Sequence, residues 1–408
     1  MSNRIDFHLR RSLLLCLLLA SLVWGVVPLL RAEVPAGTRS GSLAGSENHA
    51  ETAVLQTSSS VDGASLSAAT ASAKVLPRYN TAGDVLYEPT SLAIDSSGDV
   101  WVASYIGGVT EFSPIGVVMS PTTGYASSIL NESYGLTIDV NNNVWVTSEE
   151  TPSPNYNSGY GNITELDSSG NVISPTGGYY GGGIYFPGAI ASDTLGRIWV
   201  ADGKNMASLL SNSGAAISSS SGYAVGELAF PDGIAVDANN DAWFANSSSN
   251  YITHVAPDGT VLNQVTGSSY STSGLAVDQS GNVWVGNWYN NTISEISGTT
   301  NVVVSTTSGG GIDHPYGVAI DGRGNVWTAN YLGNSITELQ GSNGSSPGSA
   351  LSPTKGLGTA AGLIEPMGLA IDASGNVWVT SYGTNTLTMF VGAAAPVQTP
   401  LVGPAKLP

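Results

Sequence analysis

Glu88, Glu132, His314 and Glu365 are four residues able to ligate a cation or move a proton, and all four stand just ahead of a short apolar segment in a repeated unit. The equivalent places in the other units hold Phe186, Phe230 and Ser271. Carboxylates and an imidazole on neighbouring units could hold a divalent cation, Mg²⁺ or Ca²⁺, and His314 could serve as a catalytic base beside it. Phe186 and Phe230 would then pack an apolar ligand. The plainer reading is that these residues only start strands ahead of Pro89, Pro315 and Pro366 and point into water.

A second acidic position recurs more strictly. Asp95, Asp139, Asp193, Asp237, Asp278, Asp321 and Asp372 each precede a Trp by six residues, as in "IDASGNVWV". Around Asp139, Asn141, Asn143 and Glu150 also fall on calcium-loop positions, but Val144 stands where such a loop needs Gly. A turn explains all seven copies. Asp at the first turn position accepts backbone N–H bonds, and Gly or Asn three residues on takes the left-handed corner. In the sequence "ITHV", His254 replaces the Glu of four other units, which predicts a solvated His near the rim. Tyr105, Trp288, Tyr289, Tyr331 and Tyr382 follow the Trp segment. They offer either a platform for a glycan or peptide or packing between units. No His-Glu-x-x-His motif or phosphate loop occurs, and the sole Cys, Cys16, lies in the N-terminal apolar run.

The seven Asp–Trp pairs are spaced by 44, 54, 44, 41, 43 and 51 residues. Within each unit, runs of four to six residues rich in Val, Ile, Trp and Thr alternate with turn residues, and no helical periodicity is present. Units of about 40–50 residues with four short strands predict an all-β, seven-bladed β-propeller with four-stranded antiparallel blades. The segment before the first unit resembles the one before the seventh. Residues near 73–80 are therefore expected to add the outermost strand of the last blade and close the ring, rather than residues 391–402 with their two Pro.

The units resemble NHL repeats across residues 76–392. "FPDGIAVDANNDAWFANSSSNYI" and "IWVADGKN" carry the likeness, and Trp in place of Tyr is similar to streptogramin lyases and two-component-regulator propellers. That resemblance implies a propeller. Its streptogramin-lyase branch implies a His and a metal at the channel mouth, and its lactonase-type branch implies calcium held by Glu, Asn and Asp near the channel.

The chain of 408 residues carries a net charge of −18. Leaving out residues 1–32 gives 8 basic against 29 acidic residues, a surface that repels nucleic acid. Residues 1–32 read as a signal peptide or an uncleaved anchor, residues 33–75 as a Ser/Ala/Gly-rich spacer and residues 393–408 as a tail. The expected protein is a secreted or periplasmic monomer that touches a membrane only through an uncleaved residues 1–32. Its expected role is a binding or scaffold module for a protein, peptide, glycan or small molecule. The alternative is a metal-dependent lyase or hydrolase.

Overall fold

A computed structural model describes residues 52–53, 72–75, 86–149, 161–224, 226–266 and 271–408. The chain divides into residues 1–47 and 48–408, and only the second unit contains described residues. The targeting segment and most of the long second-unit loop lie outside them. Among the described residues there are seven antiparallel sheets and one short 3-10 turn, Thr359–Ala361.

The inner strands of the seven sheets are Pro89–Ile94, Leu136–Ile138, Pro187–Ser192, Pro231–Val236, Thr272–Val277, Pro315–Ile320 and Pro366–Ile371. Each pairs with a middle strand carrying the repeated Trp, and that strand pairs with a third. The middle strands are buried throughout, because a sheet lies against each face. Neighbouring inner strands approach closely where the repeat has Gly. A Cβ on Gly233 would strike the carbonyl of Ser273, and one on Gly274 that of Tyr316. Contacts between inner strands run from each sheet to the next, and the seventh packs on the first, where the Thr380 hydroxyl donates to the Thr90 carbonyl at 3.3 Å.

The fourth strand departs from the expectation. Sheets four and five have one, Val261–Thr266 and Val303–Thr307. In sheets one, two, three and six it shrinks to isolated bridges such as Val109–Tyr125. There the segments read "SPTTGY", "SPTGGY", "SSSSGY" and "SPTKGL", and Gly124, Gly178, Gly222 and Gly356 take positive φ in tight turns. A turn at that point, with Pro in three of the four, ends the ladder. In the seventh sheet Ser72–Val75 pairs outside Thr386–Val391, and Thr52–Ala53 pairs beyond it. Two short strands thus lie inside the stretch read as spacer.

The repeated Asp does more than start a turn. In all seven sheets its Oδ1 accepts the backbone N–H groups two and four residues on. In six, its Oδ2 accepts the indole N–H of the repeated Trp at 2.9–3.5 Å. The exception is Asp193, whose Oδ2 is taken by Arg197 Nε at 2.6 Å, leaving the buried Trp199 indole N–H without a partner.

Replacing Asp372 by Ala should strand buried N–H groups and cost about 2–4 kcal/mol, read from the urea midpoint. Arg197→Asn installs the residue found at this place in sheets two, five, six and seven. It frees Asp193 for Trp199 and should leave the midpoint equal or higher.

Candidate functional site

The seven inner strands line one cavity of about 270 Å³. Ala93, Thr137, Ala191, Ala235, Ala276, Ala319 and Ala370 occupy equivalent places around it, small side chains that leave room along the axis. At the end where the Asp turns lie, alternate residues of the C-terminal segment (Val397, Thr399, Leu401, Gly403 and Ala405) complete the wall. The Val397 N–H donates to the Asp372 carbonyl and that of Ala395 to Asp321 Oδ2. The stretch read as a tail therefore closes one end of the cavity.

The other end begins with the residues singled out for chemistry. Glu88, Glu132, Phe230, Ser271, His314 and Glu365 all have φ between 51° and 60°, the left-handed region that non-glycine residues seldom occupy. They are held there from both sides. In every sheet the carbonyl at this position accepts the N–H of the residue seventeen places on, such as Tyr105 to Glu88 and Tyr331 to His314. The N–H groups of Glu88, Phe230, His314 and Glu365 donate to Asn385, Asn205, Asn291 and Asn334, each in the hairpin of the preceding sheet. Phe186 differs because the buried carboxylate of Asp202 accepts both its N–H and that of Tyr185. Left-handed residues pinned this firmly tend to occur at binding sites.

Tyrosines of one sheet reach the glutamates of the next. Tyr382 donates to Glu88 Oε2 and Tyr105 to Glu132 Oε1, both at 2.8 Å. Burial first, then the glutamate bond, pushes the Tyr105 phenol up to about 12 and that of Tyr382 higher still. The His314 ring meets the edge of Trp288 at 5.0 Å, and its Nδ1 lies 2.7 Å from Asp313 Oδ1. A carboxylate there accepts the Nδ1 proton, leaving the lone pair on Nε2. Phe186 and Phe230 flank Gly203 from adjacent sheets.

Several expectations change. Trp288 and Tyr331 are buried and pack with Met367, so they build the rim rather than an exposed platform, whereas Tyr289 is 50% exposed. His254 is not solvated; it is buried against Trp243. Glu88, Glu132, His314 and Glu365 share one ring position but are not drawn into a cluster. Among the described residues, the groups of three possible metal ligands within 4.8 Å of one another are Asp237, Asp241 and His254, and Asp95, Asp99 and Glu111.

No protein-family profile and no curated protein matches the sequence. Solved structures do match its architecture. Virginiamycin B lyase from Staphylococcus aureus aligns with a TM-score of 0.58 at 15% identity, covering 78% of this chain and 98% of that one. The WD40 β-propeller domain of Doa1 aligns at 0.56 and 14%, covering 76% and 94%. The fold is a β-propeller. The extracellular domain of the BT4673 two-component system from B. thetaiotaomicron aligns at 0.56 and 16%, covering 79% of this chain and 43% of that one. Streptogramin lyases and two-component-system propellers are thus its structural neighbours, in agreement with the sequence resemblance. Among the described residues of the propeller, no helix is long and apolar enough to cross a membrane.

The Tyr–Glu pairs have a signal in the sequence. Each unit ending its second hairpin segment with Tyr105, Tyr331 or Tyr382 is followed around the repeat by a unit opening with Glu132, Glu365 or Glu88.

A raised tyrosine pKa means that the folded state holds the proton more tightly than the unfolded chain. The stabilisation is therefore complete below pH 10 and lost as the pH climbs through about 12. Removing the charge with Glu132→Gln should lower the Tyr105 midpoint, followed by tyrosine ¹³Cζ NMR, while burial keeps it above that of a free tyrosine.

Proposed function

We propose that this chain is an exported, seven-bladed propeller, closed by the strand Ser72–Val75, that binds its ligand at the open mouth of the channel. The observation that carries the reading is the ring of left-handed residues. One backbone device is repeated around the mouth while its side chains differ from sheet to sheet, so the rim is one-sided: carboxylates and tyrosines on sheets seven, one and two, and Phe186 and Phe230 on sheets three and four. Repetition that only shaped the fold would favour one side chain throughout. Glu88 and Glu132, each steadied by a tyrosine, present fixed acceptors beside aromatic surface. That combination suits the hydroxyls and apolar faces of a glycan or the backbone N–H groups of a peptide.

Glycan and peptide arrays probed with the labelled full chain should yield binders. The double variant Glu88→Gln, Glu132→Gln should weaken them tenfold or more without lowering the thermal midpoint. Binders indifferent to both changes would move the site away from the mouth. Closure has its own test. Deleting residues 1–76 should uncover the edge of Thr386–Val391, lower the thermal midpoint and promote association.

One observation favours a catalytic reading alongside the first. His314, oriented by Asp313 with Nε2 as its acceptor, is arranged as a general base. Lyase or hydrolase activity at the mouth predicts turnover that is lost in His314→Ala while the protein still folds. An active parent whose His314→Ala variant keeps its rate would remove this second reading.

A further inference from the structure

Sheet four differs from sheets two, five and six at one buried spot on the turn side of the propeller. In sheets two, five and six the residue four places after the repeated Asp is Asn, and its amide donates to a Glu on the third strand: Asn143 to Glu165, Asn282 to Glu295, Asn325 to Glu338. Sheet four carries Asp241 and His254 at these two places. Where the sisters pair an amide with a carboxylate, sheet four sets an imidazole beside two carboxylates, Asp241 and the repeated Asp237.

The geometry is not that of hydrogen bonding. His254 Nε2 lies 3.4 Å from Asp237 Oδ2 and 3.7 Å from Asp241 Oδ2, between the two carboxylates without an aligned hydrogen bond to either. His254 is 7% exposed, and neither ring nitrogen has a hydrogen-bond partner. Buried polar atoms are nearly always satisfied, so an imidazole left bare between two carboxylates calls for an explanation. Its plane is set by face-to-face stacking on Trp243, with centroids 3.8 Å apart and 14° between planes. One ligand atom from each of the three residues falls within 4.8 Å of the others. Two donors bound about 2.1 Å from a tetrahedral ion sit roughly 3.4 Å apart, close to the 3.4 and 3.7 Å that separate His254 Nε2 from the two carboxylates.

We propose that Asp237, Asp241 and His254 form a divalent transition-metal site of the zinc type. Asp237 Oδ2, Asp241 Oδ2 and His254 Nε2 supply three ligands, and water completes the tetrahedron where the Asp241 side chain is partly exposed. One imidazole with two carboxylates suits Zn²⁺ or Co²⁺ better than Mg²⁺ or Ca²⁺, which favour oxygen alone. The two carboxylates neutralise the ion. Asp237 keeps its structural duties, since Oδ1 holds the turn and Oδ2 has a second lone pair besides the one facing the Trp243 indole. The site lies in the turn layer of sheet four, away from the mouth, so its role is to brace that sheet rather than to touch a ligand there.

The test uses the purified full chain, stripped with chelator and titrated with CoCl₂ and then ZnCl₂. One equivalent of Co²⁺ should give the intense visible bands of a four-coordinate ion, Zn²⁺ should displace it, and the thermal midpoint should rise on loading. Asp241→Asn restores the residue of the sister sheets, and adding His254→Glu restores their pair. Both proteins should fold, and both should bind Co²⁺ at least a hundredfold more weakly, while His314→Ala leaves binding intact. The proposal is overturned if no bands appear and the thermal midpoint does not move, or if Asp241→Asn binds as tightly as the parent. It is also overturned if His254 proves protonated at neutral pH in the chelated protein and unmoved by Zn²⁺, which would make the trio an ion pair.

Discussion

A buried carboxylate between a turn and an indole is the contact on which the architecture depends. Each repeated Asp faces two ways: one oxygen gathers the N–H groups of the turn that reverses the inner strand, and the other fixes the Trp that fills the space between sheets. The same residue thereby couples a local hairpin to long-range packing. An Asp buried without such donors would carry an uncompensated charge. Six sheets satisfy it identically, and the third substitutes Arg197 for the Trp199 indole.

Around that constant the sheets vary in two layers. In the turn layer, the pair formed by the residue four places after the Asp and its third-strand neighbour changes from Asn–Glu to Asp–Glu in sheet one, Arg–Leu in sheet three, Asp–His in sheet four and Asn–Met in sheet seven. Burial first, and the neighbouring carboxylates after it, hold the Asp99 and Glu111 carboxyls above their usual range. In the mouth layer, a pinned left-handed backbone carries Glu, Phe, Ser or His. Both layers tolerate substitution because the Asp–Trp contact and the small residues of the inner strands already determine the packing.

Most of the fold was legible in the sequence, for a physical reason. Seven units at a near-constant spacing must satisfy one set of neighbours, so the Asp, the Gly corner and the Trp each repeat and expose the pattern. The outer edge was less legible. A run such as "SPTTGY" has the length of a strand, yet Gly124 bends it into a turn that leaves only bridges. Among the site residues, ring position was readable for Glu88, Glu132, His314 and Glu365. Burial was not, and Trp288 and Tyr331 are buried within the rim rather than exposed on it.

The sequence by itself determined the number of sheets and the order of their inner, middle and third strands, because these depend on local periodicity repeated along the chain. Only the tertiary structure decided which side chains meet. The bond from Tyr382 to Glu88 spans 294 residues and the cavity wall joins inner strands from residue 91 to the segment ending at Ala405. His254 shows the difference most clearly. Its sequence neighbourhood predicted a solvated imidazole, and its position beside Asp237, Asp241 and Trp243 arises only when the third strand of sheet four is laid against the turn and the middle strand. Contacts of that kind follow from the register of strands, which a linear pattern does not contain.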